Sequence, residues 1–312
     1  MLSPEEANSL LERNARNSDV LFPYLTGEDL NSNPDLSPSR WVIDFFDWPL
    51  DKSAEYPDCL EIVRLRVKPH RDNVNRLAHR RYWWHYGDKR LLLYREIKGF
   101  NRVLVIALTS KPVTPAFVPS GMGFSHALGV FAYDDDAHFG LLSSGFHWWW
   151  AMTRASTMRT DLRYTPTDCF ETFPQPELTD AVGRAGNALD EHRWAVMQER
   201  WEGLTATYNR VHDPRERSAD IAELRRLGVE LDHAVAVAYG WEDLPLDHDF
   251  QKTRQGVRYT VGLATRTELL DRLLALNHER AAAEAALAPQ RPRRGGGRRA
   301  APGSGQSSLE LP

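Results

Sequence analysis

Apolar residues along this chain follow two rhythms. From Ser218 to Tyr239 they fall three and four apart, at Ile221, Leu224, Leu227, Leu231 and Val235, which is one buried face of a helix. Leu269, Leu270, Leu273, Leu274 and Leu276 do the same within Arg266 to Leu287, and Thr179 to Arg210 also reads as helix. Ahead of Leu178 strands mix with helices. Ser3-Pro4-Glu5-Glu6 predicts a helix start, with Ser3 as cap, Pro4 in the first turn and Glu6 completing a capping box; the helix ends at Asn14 to Asn17. An apolar segment from Val20 to Leu30 turns at Gly27. Arg40 to Phe46 is β-branched and aromatic enough for a strand, which Pro49 breaks. Tyr56 to Gly99 is helical in pattern with a break near Pro69. Arg102 to Thr109 reads as a buried strand, and Pro115 to Pro119 and Ser125 to Tyr133 as two more around a Gly121-Met122-Gly123 turn.

The rest of the chain is organised around Asp134 to Pro176. An acidic start leads into one apolar helix carrying Leu141, Leu142, Phe146 and Trp148 to Trp150. A polar loop follows with Arg154, Ser156, Thr157, Arg159, Arg163 and Tyr164, closed by Phe173-Pro174-Gln175-Pro176. Asp134 suits the cap, with Asp135 and Asp136 near the positive end of the helix dipole, although the three could also bind a hard cation. The predicted class is α+β. It comprises a mixed α/β domain over residues 1–178, an α-helical C-terminal domain over 179–287, and a tail over 288–312. Proline, glycine and arginine dominate that tail, which is expected to be disordered because it cannot bury a core.

At 312 residues, 42% apolar and 26% charged, the chain has the make-up of a globular protein with ample core. No apolar run is long enough for a membrane span, and no signal pattern opens the sequence. Cys59 and Cys169 stand far apart, which suits a reducing cytoplasm better than a disulfide scaffold. The net charge of −4 is unevenly spread: Leu60 to Lys111 holds 13 Lys/Arg against 4 Asp/Glu, a local +9, leaving −13 elsewhere. That asymmetry is what a DNA-binding face requires, and a solvated helical surface is the alternative.

Arg76, Arg80 and Arg81 lie in its densest basic and aromatic part, beside Trp83 and Trp84. Lys111, at a strand end in Ser110-Lys111-Pro112, suits a phosphate contact. Arg can grip guanine bidentately and Ser or Thr can reach bases or phosphates, so Arg154, Ser156, Thr157, Arg159, Arg163 and Tyr164 are the candidate readers. The tryptophans are chiefly core residues, with one available to stack on a nucleic acid. Pro57-Asp58 with Glu96-Ile97-Lys98 spells two halves of a metal-dependent nuclease signature, but Glu96 falls at a helix end rather than on a strand. No glycine-rich cofactor loop, phosphate loop or nucleophile elbow occurs.

LFPYLTGEDLN (Leu21 to Asn31), RWVIDFFDW (Arg40 to Trp48), YPDC (Tyr56 to Cys59), LLSSGFHWWW (Leu141 to Trp150) and RASTMRTDLRYTPTDCFETFPQPE (Arg154 to Glu177) occur in order. Together they resemble the target-recognition domain of MmeI-like, type IIL restriction-modification enzymes, which are adenine-N6 DNA methyltransferases, and of related methylases of anti-phage systems. HDFQKTRQGVRYTVG (His248 to Gly262) and RLLALNHER (Arg272 to Arg280) are similar to the helical region that follows it. The resemblance implies sequence-specific recognition of double-stranded DNA, while an upstream domain flips and methylates adenine. That partner, a methyltransferase domain or subunit, would use S-adenosylmethionine. With no cofactor or metal expected in this chain, it should neither methylate nor cut alone, either as the specificity half of a split enzyme or as part of a longer reading frame. A free-standing nuclease using Asp58, Glu96 and Lys98, and an interaction scaffold without nucleic acid, are the rival readings.

Overall fold

In a computed structural model of the chain, which describes residues 1–87, 89–158 and 161–287, the first helix is set by the expected box. Ser3 Oγ accepts the Glu6 N–H at 3.2 Å while the Ser3 N–H donates to Glu6 at 2.9 Å, opening α1 (Pro4–Arg13). After a 3-10 turn at Ala15–Asp19, the segment expected to bend at Gly27 becomes strand β1 (Leu21–Leu25) and helix α2 (Gly27–Ser32). Thr26 and Asp29 form a second capping box there, so a local hydrogen-bond pair places the boundary. β2 (Arg40–Ile43) pairs antiparallel with β1. Pro49 precedes the short α3 (Leu50–Ser53).

The described residues between 56 and 99 form four helices rather than one or two: α4 (Pro57–Arg66), α5 (Lys68–Asp72), α6 (Leu77–Arg81) and α7 (Leu91–Glu96). Pro69 sits in the first turn of α5, where its missing N–H costs nothing. Where three strands were expected, five follow: β3 (Arg102–Ala107), β4 (Thr109–Ser110), β5 (Ala116–Pro119), β6 (Gly123–Phe124), which begins in the expected turn, and β7 (Leu128–Phe131). β3 is the centre of an antiparallel sheet ordered β5-β3-β7, and β6 adds to β1 in parallel, giving β2-β1-β6.

The single apolar helix expected after Asp134 is two, α8 (Asp136–Ser143) and α9 (Gly145–Arg154). Ser144 is extended, and its hydroxyl both donates to the Leu141 carbonyl at 2.7 Å and accepts the His147 N–H at 3.3 Å. One residue thus closes one helix and caps the next. The cap of α8 is Asp135, not Asp134: its carboxylate accepts the His138 N–H at 2.9 Å. Asp136 pairs with Arg102 at 2.7 Å and the Asp134 carbonyl accepts from the same guanidinium. The polar loop is a hairpin, β8 (Ser156–Met158) and β9 (Asp161–Arg163), followed by α10 (Pro166–Cys169).

Helices α11 (Asp180–Arg200), α12 (Leu204–Val211), α13 (Ala219–Ala238) and α14 (Leu263–Leu287) form the C-terminal part, with an unforeseen hairpin of β10 (Asp249–Thr253) and β11 (Gly256–Thr260). Gly256 has φ +97, the left-handed turn that ties those strands. The buried face Ile221, Leu224, Leu227, Leu231 and Val235 is the one the periodicity gives.

No gap in the core falls at residue 178. The largest apolar cluster runs from Leu104 and Phe139 through Trp150 and Leu162 to Val182, Leu231 and Leu273. α8 and α11 pack backbone to backbone: a Cβ on Gly186 would lie 2.3 Å from the Asp136 carbonyl oxygen. Arg193, 2% exposed, donates to the Pro115 carbonyl at 2.7 Å. A smaller N-terminal cluster gathers Leu10, Phe45, Cys59 and Trp83. The tail over 288–312 lies outside the described residues. Among the described residues no helix is long and apolar enough to cross a membrane.

Candidate nucleic-acid interface

β4, β9 and β8 form one small sheet whose register sorts the candidate residues. Thr109 pairs with Arg163, and Arg163 with Ser156; Ser110 pairs with Leu162, and Leu162 with Thr157. Side chains alternate across a strand, so the first row and the second face opposite ways. Leu162 and Ser110 are buried, whereas Thr109, Arg163 and Ser156 are exposed. Lys111, just past β4, is exposed too, with its backbone carbonyl fixed by Arg258 Nη2 at 3.0 Å. Arg154 ends α9, exposed, its guanidinium 4.4 Å from the Trp150 ring centroid. Arg159 lies outside the described residues, and Thr157 is placed only by its backbone on β8.

Tyr164 comes off the surface. It is 2% exposed, and its hydroxyl lies 2.9 Å from His147 Nε2. His147 Nδ1 lies 2.8 Å from the Leu142 carbonyl, so Nδ1 carries the proton and Nε2 accepts from the tyrosine. Full burial pulls the His147 pKa down to about 4, which keeps the ring neutral. Tyr164 is therefore the bolt that fastens the hairpin onto α9, not a residue available to a ligand. Its N–H also donates to the Leu108 carbonyl at 2.8 Å. Leu162 and Tyr164 turned inward force Arg163 outward.

Arg76, Arg80 and Arg81 are exposed around α6, with Arg81 5.5 Å from the Tyr82 ring centroid. The aromatics beside them are structural: Trp83 is buried, and Trp84 Nε1 and His85 Nε2 both donate to the Trp48 carbonyl, at 2.9 and 2.7 Å. This segment rests on the N-terminal cluster and the hairpin on the larger one, so two basic patches are built on different cores. The exposed tryptophans are elsewhere, Trp194 and Trp201 on and after α11.

Ion pairing separates these cations from the rest. Arg64, Arg66, Lys68 and Arg102 are tied to Glu61, Glu6, Asp72 and Asp136. In the helical part Arg200, Arg210, Arg226 and Arg272 are likewise held by neighbouring carboxylates. Among the described residues Arg76, Arg80, Arg81, Lys111, Arg154 and Arg163 have no such partner. Free guanidinium and ammonium groups beside serine and threonine hydroxyls can bind phosphate oxygens and base edges.

The nuclease constellation is not assembled on strands. Asp58 lies half-buried in the first turn of α4, while Glu96 ends α7 and Lys98 follows it, both exposed. Among the described residues no group of three or more His, Cys, Asp or Glu side chains is placed to hold a metal.

A search of curated proteins returns no match. Among solved structures the chain is similar to the type IIL restriction-modification enzyme MmeI in complex with DNA. The TM-score is 0.63 at 18% identity, covering 90% of this chain and 34% of that one. The chain thus spans about a third of that enzyme's length. The profile described as MmeI, target recognition domain, matches residues 1–177, more than half of the sequence. The chain belongs to the family of MmeI target recognition domains.

Proposed function

We propose that this chain is the DNA-recognition module of a type IIL restriction-modification system. On this reading it selects a site in double-stranded DNA for an adenine-N6 methyltransferase domain or subunit. The observation that carries the reading is the exposed row Thr109, Arg163 and Ser156, flanked by Lys111 and Arg154, on the small sheet of β4 and the hairpin, pinned from behind by Leu162 and Tyr164. Rigid support matters because base discrimination depends on fixed donor positions. Arg163 is the reader of a base edge, with Ser156 beside it. Lys111, Arg154 and the α6 arginines hold phosphates, which set register and affinity without carrying sequence.

Methylation belongs to the partner, which supplies S-adenosylmethionine. This chain holds the DNA while the partner extrudes the target adenine. The cytoplasm, where such a system meets invading DNA, is its compartment. Two buried free thiols suit that setting, with Cys59 pushed up to about 12 by burial and therefore unreactive. Selection of the purified chain on a randomised duplex pool at low and high salt tests the reading. An enriched motif supports it, and no retention at either salt defeats it.

A further inference from the structure

The carbonyl of Lys111 is held by a buried arginine, and that arginine lines a cavity the DNA reading leaves unused. The cavity, about 110 Å³, lies between Pro112 to Thr114, the start of α9, α13 and the β10–β11 hairpin. Trp148, Leu224 and Tyr259 give it apolar and aromatic walls.

Arg258 is 4% exposed, and its Nη2 donates to the Lys111 carbonyl at 3.0 Å and to Gln255 Oε1 at 3.1 Å. Neither partner is charged, and among the described residues no carboxylate pairs with it. Burial pulls its pKa down to about 10, so it remains a cation at neutral pH. Arg225 lines the same space and spends its donors on the carbonyls of Arg210, Val211, Asp213 and Glu216. The acid lining the cavity, Asp232, is already engaged. One oxygen accepts the Gly145 N–H at 2.7 Å and the other lies 2.8 Å from His248 Nε2. His212 Nδ1 accepts the Tyr259 N–H at 3.2 Å, so its proton is on Nε2, a donor with no protein partner among the described residues. Burial and the nearby Arg258 and Arg225 keep that ring neutral. Ser143 adds a buried hydroxyl without a partner.

Arg258 is thus a buried cation whose hydrogen-bond partners are neutral, in a cavity whose acid is held by Gly145 and His248, and such a charge is costly unless an anion completes it. We propose that this cavity binds a small oxyanion of the size of inorganic phosphate, held by Arg258 and His212; at about 110 Å³ the space is too small for a nucleotide. This is a second site, independent of the DNA-facing hairpin.

Calorimetric titration of the full chain with inorganic phosphate tests it. Phosphate should bind, and Arg258→Met should weaken it about tenfold or more, the least that loss of a charge-assisted hydrogen bond implies. Gly228→Leu gives a check that leaves Arg258 in place. Gly228 lines the cavity and an added Cβ would meet no atom within 4 Å, so the new side chain starts in open space and should weaken phosphate binding. No phosphate binding at millimolar concentration, or equal binding by Arg258→Met, would overturn the site.

Discussion

Replacing Arg76, Arg80 and Arg81 together by alanine isolates the electrostatic part of DNA binding. All three are exposed, and among the described residues none is tied to a carboxylate. With Lys111 and Arg154 they make about five phosphate contacts, and each releases about 0.9 of a counterion, so log K should fall against log salt with a slope of about −4.5. Between about 50 and 200 mM salt the intact chain should then weaken about 500-fold. The triple variant keeps about two contacts, has a slope of about −1.8, and should weaken only about tenfold over the same range. Fluorescence anisotropy with a labelled duplex across that range reads both slopes. Surface substitutions of this kind change stability by about 0.5 kcal/mol or less, so a folding defect would not imitate the result. A slope unchanged by the triple substitution would refute the placement of phosphates on α6.

Arg163→Ala should cut discrimination between the chosen site and its single-base variants by about 1–3 kcal/mol; equal weakening on all sequences would make it a phosphate contact instead. Tyr164→Phe leaves His147 Nε2 buried without a donor and should cost about 1–3 kcal/mol in urea unfolding. A loss below about 0.5 kcal/mol would show that the hydroxyl does not bolt the hairpin. Gly186→Ala drives a methyl group to 2.3 Å from the Asp136 carbonyl and should destabilise by about 1–3 kcal/mol, a prediction that an unchanged Tm would contradict. His147 has a folded pKa held near 4, below the ordinary 6.5, because burial disfavours its charged form. The unfolded chain therefore binds the proton more readily: the stabilisation is complete above pH 6.5 and is lost as pH falls toward 4, by about 3 kcal/mol at most. Stability measured across that window should be flatter in His147→Gln, and an identical profile would exclude His147 as the source.

What could be read from the chain was local. The Ser3–Glu6 box, the buried strand that starts at Arg102 and the face Ile221 to Val235 are set by hydrogen bonds and spacings within a few residues; each appears where the pattern puts it, although the strand ends at Ala107 and Thr109 opens β4 in another sheet. Tertiary contacts decided the rest. The apolar run through Trp150 broke at Ser144, where Asp232, 87 residues on, accepts the Gly145 N–H. The Arg154 to Tyr164 stretch became a hairpin because β4 supplied an edge for it and His147 supplied an acceptor for Tyr164. Tyr164 and Arg163 look equally polar in sequence, and only the register against β4 turns one inward and the other out. The same holds for charge. Composition gives the excess of cations between Leu60 and Lys111, but which of them have a carboxylate within reach depends on side chains brought together from distant positions, as Arg66 is with Glu6 and Arg102 with Asp136. Sequence fixes the number of charges, because ionisation belongs to the residue; folding decides which remain free to bind, because pairing belongs to the neighbours.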